Sequence, residues 1–160
     1  MPMSDIAIIP VELADAGEIL TLQRAAYATE AQLYNDCHLP ALTQTLGELE
    51  SELEHSHALK AVRDGRIIGA VRVHPEGPVW HIGRLTIAPD VQGQGIGTSL
   101  MAEVERQAPS EVERFALFTG HLSVANIRLY ERLGYRETRR EQLKPGVELV
   151  HLDKSASNPA

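Results

Sequence analysis

Apolar residues recur three, four or seven positions apart between residues 15 and 34, at Ile19, Leu22, Ala26 and Leu33. That spacing predicts an amphipathic helix. A short apolar run at 6–10 precedes it and reads as a first strand. Residues 36–40 break the pattern. Leu46, Leu49 and Leu53 resume it and predict a second helix over 42–55. The texture then changes to short runs. Residues 58–63 and 66–74, the latter with Ile67, Ile68, Val71 and Val73, read as strands joined by Asp64-Gly65, a pair that tolerates the positive φ of a tight primed turn. Pro75-Glu76-Gly77-Pro78 marks another turn, and 79–87 a third strand of the same meander. Beyond it come a helix over 95–107 with Ile96, Leu100 and Val104 on one face, a strand at 115–118, and a helix over 124–133. Gly134 suits that helix's left-handed cap. Strands at 135–142 and 147–152 close the chain. The order β α α β β β α β α β β describes a mixed α/β domain of the α+β type.

Length and charge narrow the class. The 160 residues fit one domain, expected over 1–154 with a disordered tail at 155–160, and 43% hydrophobic content suffices for a packed core. The one cysteine, Cys37, rules out an internal disulfide or a thiolate metal cluster. The formal charge of −7 disfavours nucleic-acid partners and weakly suits a cationic amine. Arg132, Arg136, Arg139, Arg140 and Lys144 form a late basic cluster, read as a solvated face. Residues 1–5 carry no signal-peptide pattern, and no run approaches the ~18 apolar residues of a membrane span. A cytoplasmic location without membrane contact is therefore expected. His55 and His57 stand two apart, no zinc-type carboxylate–histidine spacing occurs, and no metal is expected.

The chemistry concentrates between Leu85 and Leu100. A strand ends at Ile87, Pro89 stops it, and glycines follow at 93, 95 and 97 before a helix begins. Glycines let the backbone approach a ligand closely, and the N–H groups at a helix start offer partial positive charge. The result is a phosphate cradle without basic side chains. The dinucleotide fingerprint fails, because Thr98 stands where its third glycine belongs, and no P-loop signature is present.

The run from Ile87 through Gln92-Gly93-Gln94-Gly95-Ile96-Gly97 resembles the acetyl-CoA signature of the GNAT superfamily of N-acetyltransferases, whose [Q/R]-x-x-G-x-[G/A] core is filled by Gln92, Gly95 and Gly97. The element order is similar to that fold over nearly the whole chain. The resemblance implies a mostly antiparallel sheet, splayed at the coenzyme site and flanked by helices. It implies acetyl-CoA as co-substrate, with the pyrophosphate on the backbone of Gln92, Gly93, Gln94, Gly95, Ile96 and Gly97. The pantetheine arm would lie along main-chain groups of Leu85, Thr86 and Ile87. A second run, Leu129-Tyr130-Glu131-Arg132-Leu133-Gly134-Tyr135, resembles the family's L-Y-x-[KR]-x-G-[FY] motif. On spacing alone Tyr130 is a half-buried core tyrosine; the resemblance makes it the general acid for the leaving thiolate. Asn126, four residues earlier on the same helical face, is assigned to the pantetheine amide. Many relatives carry that asparagine seven residues before the tyrosine, where this chain has Ser123.

The base is harder to place. Relatives often put a glutamate on the strand before the glycine loop, and the matching position here is Gly83, followed by Arg84. His121 is the tentative base, with His81, Glu30 and Asp36 as further candidates. Cys37 is expected to be inert. The expected activity is direct transfer of acetyl to a primary amine of a small molecule or peptide, in a ternary complex. The alternatives are an acyl-CoA-binding sensor or interaction module with impaired catalysis, and a nucleotide-phosphate binder unrelated to coenzyme A. Homodimerisation is common in the family.

Overall fold

The computed structural model describes residues 5–156. It is one seven-stranded sheet in the order β1-β2-β3-β4-β5-β7-β6, built from β1 (Ala7–Pro10), β2 (His57–Arg63), β3 (Arg66–Glu76), β4 (Val79–Ile87), β5 (Arg114–Gly120), β6 (Arg136–Lys144) and β7 (Val147–Ser155). All neighbours are antiparallel except β4 and β5. The helices are α1 (Ala16–Tyr34), α2 (Pro40–Thr43), α3 (Leu46–Glu54), α4 (Ile96–Arg106) and α5 (Val124–Arg132).

The expected single helix over 42–55 is two. Gln44 adopts ψ 131°, and Thr45 starts α3 with a capping box: its hydroxyl accepts from Glu48 N–H while the Glu48 carboxylate accepts from Thr45 N–H. Two reciprocal bonds at that point stabilise a fresh helix start over continuation. The β2–β3 turn has Asp64 at φ 53° and Gly65 at φ 75°, the positive pair a primed hairpin demands. At the other end β7 runs to Ser155, and Ala156 N–H still bonds Glu113 O, so ordered structure reaches into the expected tail. The rest of that tail, 157–160, and the start at 1–4 lie outside the described residues.

Alternation along β3 sets the layers. Gly69 faces Ile96 and Leu100 of α4, whereas Arg72 faces Gln23 of α1 and Glu52 of α3. Odd and even positions point to opposite faces, so α4 covers one face and α1 with α3 the other. With both faces covered, β3 is buried continuously from Ile67 to Val73.

Two irregularities open the sheet. Between Ala70↔Thr86 and Arg72↔Gly83, two residues of β4, Arg84 and Leu85, oppose one of β3, Val71. That is a β-bulge, which bends the strand and re-aims its side chains. Parallel pairing of β4 with β5 covers Val79↔Arg114, Trp80↔Phe115 and His81↔Ala116 and then stops. From Ile82 onward β4 diverges from its neighbour. This is the splay the sequence resemblance implies.

Candidate active site

A cleft of about 500 Å³ lies beside the diverging end of β4. Its walls come from four segments: Ala26, Tyr27, Thr29 and Glu30 of α1; Leu85, Thr86 and Ile87 of β4; the loop from Val91 into the start of α4; and Ala125, Asn126, Leu129 and Arg132 of α5.

The loop is held open by its glycines. Gly93 has φ 80° and Gly95 φ 82°, conformations that cost an L side chain roughly 1–2 kcal/mol. Gly95 is the N-cap of α4, and no side chain caps that end. The first N–H groups of a helix have no intrahelical acceptor. Those of Ile96, Gly97 and Thr98 are therefore available beside the cleft that these residues line. Arg66 clamps the preceding turn through two 2.7 Å bonds to Asp90, which hold that carboxyl down to about 2. A bare N–H cluster on a clamped loop, opening on a cleft of this size, fits a pyrophosphate with an extended arm.

Of the coenzyme residues expected from sequence, Leu85, Thr86, Ile87, Gln92, Gly93, Gly95, Ile96, Gly97 and Asn126 all line the cleft. The Gln94 side chain turns away and accepts a 3.1 Å bond from Arg63. Arg132 lines the cleft, although sequence reasoning faced it outward. The signal was present: 125, 129 and 132 follow the 4–3 spacing of one helical face.

Tyr130 is 8% exposed and is not among the residues lining the cleft, its ring edge-to-face with Tyr135 at 6.1 Å. Burial, reinforced by Tyr27 and Glu30, pushes its phenol well above the ordinary range, so it stays protonated. His121 does not line the cleft. Its Nδ1 accepts the Glu148 N–H at 2.9 Å, which leaves the neutral ring's proton on Nε2. His81 is exposed and paired with Glu76, and Asp36 is committed to Lys144 at 2.8 Å. Cys37 is exposed beside His38. Glu30 combines a place in the cleft wall with a hydrogen bond from Ser123 Oγ, which in turn is 2.8 Å from Tyr34 Oη. Among the described residues no cluster of three or more histidine, cysteine or carboxylate side chains is arranged to hold a metal ion. No helix among them is long and apolar enough to cross a membrane. In the late basic cluster, Arg139, Arg140 and Lys144 are each paired with a carboxylate, as a solvated face would have them.

Residues 26–156 match the model of the acetyltransferase (GNAT) domain. The chain is 28% identical over 158 residues to the S-alkylcysteine N-acetyltransferase of Bacillus subtilis (strain 168), covering 90% of this chain and 85% of that protein. Among solved structures it superposes on the PaiA N-acetyltransferase of Thermoplasma acidophilum in complex with coenzyme A, with a TM-score of 0.82 at 17% identity over 94% of this chain and 98% of that one. It also superposes on yncA of Salmonella typhimurium with its cofactor acetyl-CoA, with a TM-score of 0.76 at 14% identity over 97% and 96%. Glycine cradle, bulged and diverging β4, tyrosine helix and domain match agree: the chain belongs to the GNAT family of acetyltransferases.

Proposed function

We propose that this protein transfers acetyl from acetyl-CoA directly to a primary amine of a small molecule or peptide, with Glu30 as general base and Tyr130 as general acid. One observation carries the reading: Glu30 lines the cleft whose glycine loop suits the coenzyme, and a hydrogen bond from Ser123 Oγ holds its carboxylate there. The likeness to an S-alkylcysteine N-acetyltransferase supports a small amine as acceptor.

The coenzyme supplies a thioester: the amine nitrogen bonds to its carbonyl carbon, the carbon–sulfur bond breaks, and the products are an amide and a free thiol. The protein's part is proton traffic and position. A protonated amine cannot attack, so Glu30 removes its proton. Tyr130, kept neutral by burial, gives its proton to the departing sulfur. Gln92 to Gly97 would bind the pyrophosphate, Asn126 the pantetheine amide, and Arg132 adds a cation to the same wall. Glu30 takes the base role here in place of His121, whose Nδ1 lone pair is engaged by Glu148 N–H.

Thiol release from acetyl-CoA across a panel of amines tests the reading. Turnover with at least one amine is expected, and Glu30→Gln should lower kcat ~10²–10⁴-fold with coenzyme affinity retained. Loss of turnover in His121→Gln but not in Glu30→Gln would return the base role to His121. Tight coenzyme binding with no turnover on any amine would favour an acyl-CoA sensor instead.

A further inference from the structure

Packed on Tyr27 of the cleft wall is a cation with no carboxylate partner among the described residues. Arg84 sits on the β4 bulge at φ 52°, a left-handed conformation that arginine rarely adopts. Such strain persists only where surrounding structure imposes it, and it concentrates at functional sites. Here it aims the guanidinium over the ring of Tyr27, 5.9 Å from the centroid. Tyr27 lines the cleft, and so does Glu30, three residues further along α1. The nearby Arg72 is neutralised by Glu52 at 2.6 Å. Arg84 is half-buried and forms no ion pair among the described residues.

Gly83 supplies room beside it. A Cβ there would meet no atom within 4 Å. Gly83 pairs with Arg72, so it faces the α1 and α3 side of the sheet, the side toward which Arg84 turns. Thus Gly83 leaves open space on the strand next to a guanidinium that forms no ion pair among the described residues. A partly dehydrated guanidinium is matched in geometry and charge by a carboxylate. Glu30 and Arg84 flank Tyr27 with opposite charges, an arrangement complementary to a zwitterion.

We propose that Arg84 binds a carboxylate on the acceptor, so that the preferred substrates are amines with an adjacent carboxylate, such as α-amino acids and their S-substituted derivatives, rather than polyamines or other purely cationic amines. The proposal rests on the acetyltransferase reading above and adds the substrate class. It assigns the amine to Glu30 and the carboxylate to Arg84. It is compatible with the acidic overall charge, because the field that matters is the local one.

The test measures thiol release with matched acceptor pairs: S-methylcysteine, alanine and leucine, each against its own carboxamide. The carboxamide keeps the amine and side chain and removes the charge. Wild-type kcat/KM should favour the free acids ~10–100-fold, the range of one charge-assisted bidentate contact. Arg84→Gln should collapse that ratio to near one, chiefly through the acid's KM, and Arg84→Lys should retain part of it. Arg84→Gly also removes the guanidinium but relieves the positive φ, so an unaltered Tm in that variant shows that lost preference is not lost folding. An acid-to-amide ratio near one in the wild type, or a ratio unmoved in both Arg84→Gln and Arg84→Gly, overturns the proposal. Acetylation of amines without acid preference sinks the Arg84 assignment alone. Absence of thiol release with every acid, amide and simple amine sinks the acetyltransferase reading itself.

Discussion

Ser123 Oγ donates a hydrogen bond to Glu30 Oε2 across 93 positions of sequence. The direction of the surrounding chain follows from counting donors. Ser123 Oγ spends its single proton on Glu30, so the Tyr34 hydroxyl donates to Ser123 Oγ at 2.8 Å while accepting from Leu122 N–H at 3.0 Å. Two segments that share no strand pairing are thereby locked together at the cleft wall, and the carboxylate is held in one orientation.

Removing links of this chain should lower turnover without touching coenzyme binding. Ser123→Ala and Tyr34→Phe should each reduce kcat by about tenfold, the scale of one hydrogen bond that orients a reacting group, while the acetyl-CoA dissociation constant holds. Gly120→Ala should be more severe. A Cβ there would overlap Tyr34 Oη and Cζ, so the ring must leave its place and the chain to Glu30 is broken. Steady-state kinetics with calorimetric coenzyme titration separates these outcomes; weakened coenzyme binding in Ser123→Ala would count against a purely orienting role.

Tyr130→Phe should lower turnover at least ~10-fold, since a phenol that protonates the leaving thiolate has no substitute in phenylalanine. The same burial has a stability consequence. Tyr130 and Tyr135 both have phenols raised by burial, Tyr135 further by the Glu105 carboxylate that accepts its hydrogen bond. In the unfolded chain they ionise near the ordinary ~10, so their contribution is complete below that pH and is lost as pH rises above it. Melting temperatures should fall steeply above pH ~10, and Tyr130→Phe should flatten that fall. An unchanged alkaline slope would show that the phenol is not sequestered.

Gly95→Val should weaken acetyl-CoA binding and lower Tm by several degrees. Space is not the reason, because a Cβ at Gly95 meets nothing within 4 Å. The backbone is: φ is 82°, and a branched side chain there costs at least ~1–2 kcal/mol and would sit over the N–H cluster at the start of α4. Retained coenzyme affinity would dissociate the loop from phosphate binding.

Glu52 offers a test at acid pH. Burial alone would raise its carboxyl, but the Arg72 charge and hydrogen bonds from Gln44, Arg72 and His74 hold it below the usual range. A depressed folded value means that its contribution is present above the unfolded ~4.3 and is lost as pH falls through the folded one. Glu52→Gln leaves Arg72, only 2% exposed, without its counter-charge. The expected cost at neutral pH is about 2–3 kcal/mol, on the low side for a broken buried pair because 22% of the Glu52 side chain remains exposed. The gap to wild type in denaturant titrations should narrow below pH ~4, where the wild type loses the same charge.

Features with a local cause were readable from the chain. Apolar spacing located α1 and α4, Asp64-Gly65 located a hairpin, and the glycines at 93, 95 and 97 with Gln92 located the loop, because each depends on residues within one turn or one strand. The capping box that starts α3 afresh within the expected second helix was also local, in Thr45 and Glu48, but apolar spacing overrode it. Tertiary structure alone brought Ser123 to Glu30, faced Arg84 onto Tyr27, and engaged His121 with Glu148. A side chain's partner across the fold is set by packing of distant segments, and a bulge that turns one arginine toward a helix leaves no period in the sequence. The glycine loop is therefore legible in the sequence, whereas the groups proposed to handle the acceptor come together only when α1, the bulge of β4 and the start of α5 meet.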